Sequence, residues 1–312
     1  MIRINLLSRF LKNDGESIFS EDWNNLIILD ACRCDTFIKV IKEYVKGSAF
    51  KKYKIRCKRS LGSHTREFLE KNFVKSRYND IIYITANPFV DIILKDKVYN
   101  IISVWDIGWD RKYNTVMPET IVYYTLKSYM KYPNKRFIIH FVQPHYPYVA
   151  DHLKFQDERE NILRLKLQAK SNDKKYRVLK PKSNIIYKVF KALTKGKIYD
   201  AKFYLELDIQ KHIKAYENNL RFVLPYALSV ANILPGKNVI TSDHGEAFGE
   251  RIHPLIPIKV YGHFPNIYIP ELVLVPWMIV VNKISSKEAR RIIKKEIIRL
   301  KLRKIKNEKI GY

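Results

Sequence analysis

A doubly wound α/β domain, its mostly parallel sheet covered by helices on both faces, is predicted by three features of the sequence. Near-continuous apolar runs of strand length alternate with helical stretches, as strands buried on both faces require. Polar side chains fall at or just after the ends of those runs: Asp30, Asn87, Asp106, His145, Asp243 and His244. Open α/β sheets bind ligands at the carboxyl ends of their strands. Finally, 312 residues with 46% hydrophobic and 13% aromatic content suffice for a substantial core.

Taken in order, Leu26-Ile27-Ile28-Leu29 reads as a buried strand stopping at Asp30, with a helix following from Thr36 to about Val45. Ser60-Leu61-Gly62-Ser63-His64-Thr65 is a polar turn leading into a helix, for which Thr65 would be a common N-cap. Ile81–Ile84 and Ile101–Trp105 are further strands, closing at Asn87 and Asp106 respectively. Pro118–Lys131 reads as a helix opened by proline, and Arg136–Val142 as a strand ending at Gln143-Pro144-His145. Residues from about Asp151 to Ala201 are lysine-rich without a clear strand and read as an insertion over one edge. Leu205–Leu234 resumes as one or two helices, and Asn238–Thr241 is a short strand running into Ser242-Asp243-His244-Gly245-Glu246. Tyr261-Gly262-His263 is expected in a loop, and Leu272–Val281 is a last apolar stretch interrupted by Pro276. The division expected is an α/β domain over residues 1–284 and a basic C-terminal helix or tail over 285–312.

The formal net charge of +27 favours an anionic partner: a phosphate or sulfate ester, acidic glycan, lipid headgroup or nucleic acid. Lysine-rich composition alone does not establish nucleic-acid binding, and none is predicted specifically. Ser285–Lys309 carries eleven Lys/Arg against three Glu. It reads as a helix docked by its isoleucines, with contact to a membrane surface or polyanion as the alternative. No apolar run approaches the roughly eighteen residues of a membrane span. The amphipathic start, Met1–Lys12, lacks a small-residue cleavage site and is not read as a signal peptide. With only three cysteines, a disulfide framework is not expected, and a cytoplasmic protein with some membrane association is.

Asp243 and His244 sit where an apolar strand breaks into a glycine turn, and buried charge is tolerated there when it is paired or bound to a metal. Together with Asp30 they offer two carboxylates and an imidazole, a set suited to zinc, manganese, calcium or magnesium. A divalent ion held there would activate a hydroxyl and offset charge on a transferring group. Thr65 is the hydroxyl expected, at a helix N-terminus that offers N–H groups to the same anion, with Ser63 and Ser60 as competitors. His145 and His263 are candidates to contact the ester or protonate its leaving group. The PHYPY run around His145 also fits simple packing. Arg33 could clamp an anion through its guanidinium, or serve as a structural partner of Asp35.

These motifs, LILD-A-C-R, the hydroxyl-bearing turn, P-H-Y-P-Y, T-S-D-H-G-E and a late G-H, resemble the sulfatase-like branch of the alkaline phosphatase superfamily. The resemblance runs from about Leu26 to Pro276 and omits the lysine-rich insertion. It implies a doubly wound sheet with Asp30, Asp243 and His244 as metal ligands, Thr65 as a nucleophile that also touches the metal, and His145 contacting substrate. The C-x-P-x-R motif of true sulfatases is absent, so an unmodified Thr65 is more similar to the phosphodiesterases and phosphoglycerol or phosphoethanolamine transferases of the group. Ala31 stands where a second early Asp is usual, which points to one ion rather than two, unless Asp35 or Asp106 compensates. The expected function is therefore metal-dependent hydrolysis or transfer of phosphate or sulfate esters. The rival from another class is a catalytically silent polybasic protein on the same scaffold, holding acidic glycan, lipid or nucleic acid. A nuclease rests on charge alone and ranks last.

Overall fold

The computed structural model describes residues 13–45, 53–75, 77–150, 209–254 and 256–310. The expected insertion over 151–201 and the stretch Met1–Lys12 lie outside the described residues. One seven-stranded sheet organises the rest. In chain order its strands are β1 (Asn25–Leu29), β2 (Lys54–Arg59), β3 (Tyr78–Thr85), β4 (Val98–Ser103), β7 (Arg136–Phe141), β8 (Gly236–Thr241) and β11 (Leu274–Asn282). They lie in the order β2-β11-β8-β1-β7-β3-β4. β1 pairs in parallel with β7 and β8, and β3 with β7 and β4, whereas β11 runs antiparallel to both β8 and β2. The sheet is thus mostly parallel, as the continuous apolar runs require.

Strand alternation divides the core between two faces. Ile27 and Leu29 of β1 pack with Phe37, Val40 and Ile41 of α1 (Cys34–Tyr44), and with residues of α5 (Pro118–Lys131) and α6 (Ile209–Ile233). Leu26 and Ile28 point the other way, toward Phe68 and Leu69 of α2 (Thr65–Asn72) and Val90 and Leu94 of α3 (Phe89–Leu94). Each fully buried isoleucine or leucine contributes about 1.5–3 kcal/mol of transfer free energy. At the amino-terminal edge, the Asn25 side chain donates to Asn238 Oδ1 across the β1–β8 pair at 2.8 Å, and Asn238 Nδ2 donates in turn to the Leu234 carbonyl at 2.9 Å.

The helix at Pro118–Lys131 has the bounds expected of it, and a single helix with Pro225 inside spans Ile209–Ile233. Other elements differ. β4 stops at Ser103, and Val104–Ile107 is a short helix, α4, so exposed Asp106 is not a strand-end group. A two-stranded ribbon, β5 (Trp109–Asp110) with β6 (Thr115–Val116), follows it. Tyr261 and Gly262 are not in a loop: they end β10 (Ile256–Gly262), which forms an antiparallel hairpin with β9 (Ala247–His253). The last apolar stretch begins as a turn of helix, α7 (Pro270–Val273), before becoming β11. α8 (Ser286–Ile310) follows, docked through buried Ala289 and Ile293.

The cysteines also depart from expectation. Cys34, the first residue of α1, is bonded to Cys57 in β2 across a Cα–Cα distance of 5.7 Å, and only Cys32 is free. Three cysteines allow three pairings, and only the fold brings these two within bridging range. The bond ties the exit of β1 to the strand that leads into the Thr65 turn. At a sequence separation of 23 it constrains the unfolded chain by about 3 kcal/mol. A Cys34→Ser/Cys57→Ser variant is therefore expected to unfold at markedly lower urea, and an unchanged midpoint would contradict that contribution.

Candidate active site

Five parallel strands end at one edge of the sheet and deliver the site. β1 ends at Asp30, β8 at Asp243-His244, β7 shortly before His145, β3 before Asn87, and β2 leads through the Ser60–His64 turn to Thr65. Asp30, Asp243 and His244 are all buried, with ligand atoms within 4.8 Å of one another. His244 Nε2 lies 3.6 Å from Asp30 Oδ1 and 3.4 Å from Asp243 Oδ2.

The hydrogen bonds around these groups fix which atoms face inward. Asn87 donates to Asp30 Oδ2 at 2.8 Å. Asp243 Oδ1 accepts from the backbone N–H of Ala31 at 3.1 Å and of His244 at 3.0 Å, whereas its buried Oδ2 has no hydrogen-bond partner among the described residues. His244 Nδ1 lies 2.8 Å from the Gly245 carbonyl, an acceptor only, so Nδ1 carries the proton and Nε2 presents its lone pair. Burial holds the His244 imidazole below its ordinary pKa despite the neighbouring Asp243, which favours that neutral, ligating form. Burial alone would raise the Asp30 carboxyl. Contact with His140 instead brings it well below the usual range. An imidazole lone pair and two carboxylates converge here with one oxygen orphaned. Such a buried arrangement is stable when a cation sits among the acceptors, so the donor set fits a divalent metal.

Gly245 permits this approach of the turn to its surroundings. A Cβ there would lie 2.0 Å from the Glu271 carbonyl oxygen, and the Gly245 N–H donates to Leu272. Ala31 adopts φ 58°, a left-handed conformation, and its amide N–H tethers Asp243 Oδ1. Neither suggested replacement joins the cluster: Asp35 is paired with Arg33, and Asp106 lies exposed on α4.

Thr65 is not the N-cap. His64 holds that position and its Nδ1 accepts from the Arg66 N–H at 3.2 Å, which leaves the Thr65 hydroxyl free of capping. That hydroxyl lies 3.2 Å from His244 Nε2. The two competitors are engaged elsewhere. Ser60 donates to the Asp243 carbonyl, and Ser63 bridges Glu67 at 3.0 Å and the Phe264 carbonyl at 2.9 Å.

His145 and His263 meet above the cluster with ring centroids 5.0 Å apart, and His263 is 4.6 Å from His244. Glu246 joins them, its Oε2 lying 2.9 Å from His263 Nδ1, and the three form a second group whose ligand atoms lie within 4.8 Å. Burial lowers both imidazoles. For His263 the Glu246 carboxylate outweighs that and raises it, whereas His145 stays below its ordinary value. Arg33 takes the structural course: its guanidinium is ion-paired with Asp35 at 2.6 Å and Glu250 at 2.5 Å, which corrects the expectation of a free anion clamp. Glu246, His64 and His140 are additions that sequence reasoning missed. Glu246 stood inside the T-S-D-H-G-E block, and His140 five residues before His145, but neither spacing alone revealed a role.

Fold and site together define an α/β scaffold with a cation-ready cluster and a free hydroxyl at the carboxyl edge of its sheet. No protein-family model matches the chain, and no curated protein matches it in sequence. Solved structures do. The integral membrane protein lipooligosaccharide phosphoethanolamine transferase A from Neisseria meningitidis matches with a TM-score of 0.51 and 11% identity, over 94% of this chain and 56% of that one. This chain therefore spans little more than half the length of that protein. The soluble domain of that transferase matches with a TM-score of 0.49 and 13% identity, over 86% of this chain and 81% of that chain. The C-terminal periplasmic domain of EcEptC from Escherichia coli, in complex with zinc, gives 0.44 and 10%, over 90% and 78%. At such identities the likeness is one of fold, shared with the Neisseria meningitidis transferase.

Proposed function

We propose that this chain is a metal-dependent enzyme that transfers or hydrolyses a phosphoric ester group, with Thr65 as the nucleophile. The observation that carries this reading is the convergence of the Thr65 hydroxyl, the His244 Nε2 lone pair and the Asp30 and Asp243 carboxylates at one buried point. Asp30, Asp243, His244 and Thr65 would hold one ion, with zinc, manganese, calcium and magnesium all compatible with the mixed oxygen and nitrogen set. A divalent ion there supplies Lewis acidity, lowering the pKa of the hydroxyl and offsetting charge on the ester oxygens. Thr65 Oγ1, its proton released to water, attacks phosphorus in line, forming an O–P bond as the bond to the leaving oxygen breaks. His263, whose pKa the Glu246 carboxylate raises, would give that oxygen its proton. Water or an acceptor hydroxyl then attacks the same phosphorus and restores Thr65. Phosphate is preferred over sulfate because the sulfatase cysteine motif is missing and because the fold is shared with a phosphoethanolamine transferase.

Metal analysis of the purified protein, with a panel of nitrophenyl phosphate, phosphodiester and sulfate substrates, tests this. Close to one divalent ion per chain and metal-dependent phosphoester turnover are expected. Metal-free protein binding polyanions in a salt-sensitive manner, unaffected by Asp243→Asn, would favour the silent polybasic reading instead.

We also propose that the protein works at an anionic membrane surface in an oxidising compartment. The Cys34–Cys57 bond supports such a compartment over the reducing cytoplasm. Ile298 and Leu302 are exposed on α8, on the side away from Ile293, among exposed Arg291, Lys294 and Lys295. That combination of apolar and cationic side chains suits acidic headgroups. No described helix is long and apolar enough to cross a membrane. Ile298→Ser/Leu302→Ser is expected to weaken co-sedimentation with phosphatidylglycerol vesicles, and equal binding by variant and wild type would contradict the assignment.

A further inference from the structure

His140 lies at the centre of β7, fully buried, on the same face of the sheet as Ile138 and thus beneath α2 and Thr65. Its Nε2 is 3.5 Å from Asp30 Oδ2 and 3.9 Å from Asp243 Oδ2, and both Nε2 and Asp243 Oδ2 lack a hydrogen-bond partner among the described residues. Its Nδ1 is 3.0 Å from the hydroxyl of Tyr83, itself fully buried in β3.

The tautomer follows from the hydroxyl. A phenol buried in this way keeps its proton, and His140 Nδ1 is the one acceptor it meets among the described residues. The Tyr83 O–H therefore donates to Nδ1, and the imidazole carries its own proton on Nε2. This excludes His140 as another metal ligand, since ligation through Nε2 needs the lone pair there. A proton on Nδ1 would instead donate to the phenol oxygen and leave the Tyr83 proton without an acceptor among the described residues. What remains is an N–H between two carboxylates, at distances longer than a formed hydrogen bond to either. Two buried carboxylates repel one another, and a donor between them offsets part of that repulsion. Groups that orient metal-binding carboxylates in this way tune both affinity and geometry.

We propose that His140 is a positioning residue of this site: its Nε2–H sets the spacing of the Asp30 and Asp243 carboxylates, and Tyr83 keeps the proton on that nitrogen. The inference rests on the reading that those carboxylates hold a divalent ion. The test uses the full chain with His140→Leu, His140→Gln and Tyr83→Phe. Zinc affinity is measured by competition with a chromogenic chelator, and ligand geometry by the visible spectrum of the cobalt-loaded protein. His140→Leu is expected to weaken zinc about 10- to 100-fold and to move the cobalt bands. His140→Gln, which keeps an N–H donor, is expected to recover most of the affinity. Tyr83→Phe frees the tautomer and should weaken zinc by about three- to tenfold. Wild-type affinity and an unchanged cobalt spectrum in His140→Leu would overturn the inference. Should that variant lose its near-ultraviolet dichroism, Tyr83→Phe decides alone, and wild-type affinity there overturns it equally. A wild-type protein that takes up no metal sinks the metal reading and this inference together. Metal uptake indifferent to all three substitutions sinks only the inference.

Discussion

Thr65→Ala is expected to reduce phosphoester turnover by on the order of 10⁴- to 10⁶-fold, the scale on which a lost nucleophile is felt. The fold should survive, because His64 rather than Thr65 caps the helix and the Thr65 hydroxyl caps nothing. Near-ultraviolet dichroism and the unfolding midpoint would check that point. Ser60→Ala and Ser63→Ala should show the reverse pattern. Their hydroxyls bind the Asp243 and Phe264 carbonyls, so stability falls by about 1–3 kcal/mol while turnover is largely kept. Activity that persists in Thr65→Ala but disappears in Ser63→Ala would move the nucleophile to the competing residue.

Removal of metal carries the second large effect. With a cation held, binding stabilises the folded chain by about 2.7 kcal/mol at a concentration one hundred times its Kd. Excess chelator should withdraw that contribution, lowering the melting temperature and abolishing turnover together. Asp243→Asn removes one inward-facing acceptor and a buried negative charge. Its melting temperature should no longer respond to metal or chelator, and with less carboxylate repulsion it need not fall below that of the chelated wild type. A wild-type melting curve indifferent to zinc, manganese, calcium, magnesium and chelator would contradict the cation assigned to Asp30, Asp243 and His244.

Much of the scaffold was legible because parallel strands buried on both faces must be apolar throughout. Leu26–Leu29, Ile81–Ile84 and Asn238–Thr241 could hardly be anything else, and the polar residue after each then marks the sheet edge. Pro118 announced its helix for a similar reason, fitting the first helical turn where no N–H is needed. Local signals failed where tertiary contacts decide. β2 is KIRCKR, a mostly polar run that is a strand only because β11 pairs along it. The Cys34–Cys57 bond depends on that same placement, which no cysteine spacing discloses. Ser103-Val104-Trp105 has strand propensity, yet the chain turns into a helix there.

The site shows the same division. Asp30, Asp243, His244 and Thr65 were readable from strand ends and motif order, and the structure brings the four together. Threonine's capping preference misassigned the cap, because a histidine side chain can accept the same N–H. Glu246 and His140 were invisible as functional groups for opposite reasons. Glu246 acts on His263, seventeen residues away and in a different strand's exit. His140 looked like one more member of a buried strand, and only its three-dimensional neighbours reveal what its ring faces.

The most direct measurement is to quench the metal-loaded protein during turnover of a phosphodiester and sequence the tryptic peptide spanning residues 60–66 by mass spectrometry. That peptide, Ser-Leu-Gly-Ser-His-Thr-Arg, holds all three candidate hydroxyls. A phosphoryl-ester mass increment on Thr65, absent after chelation, is the predicted result. An increment on Ser60 or Ser63, or steady turnover with no adduct on this peptide at any quench time, would contradict the account.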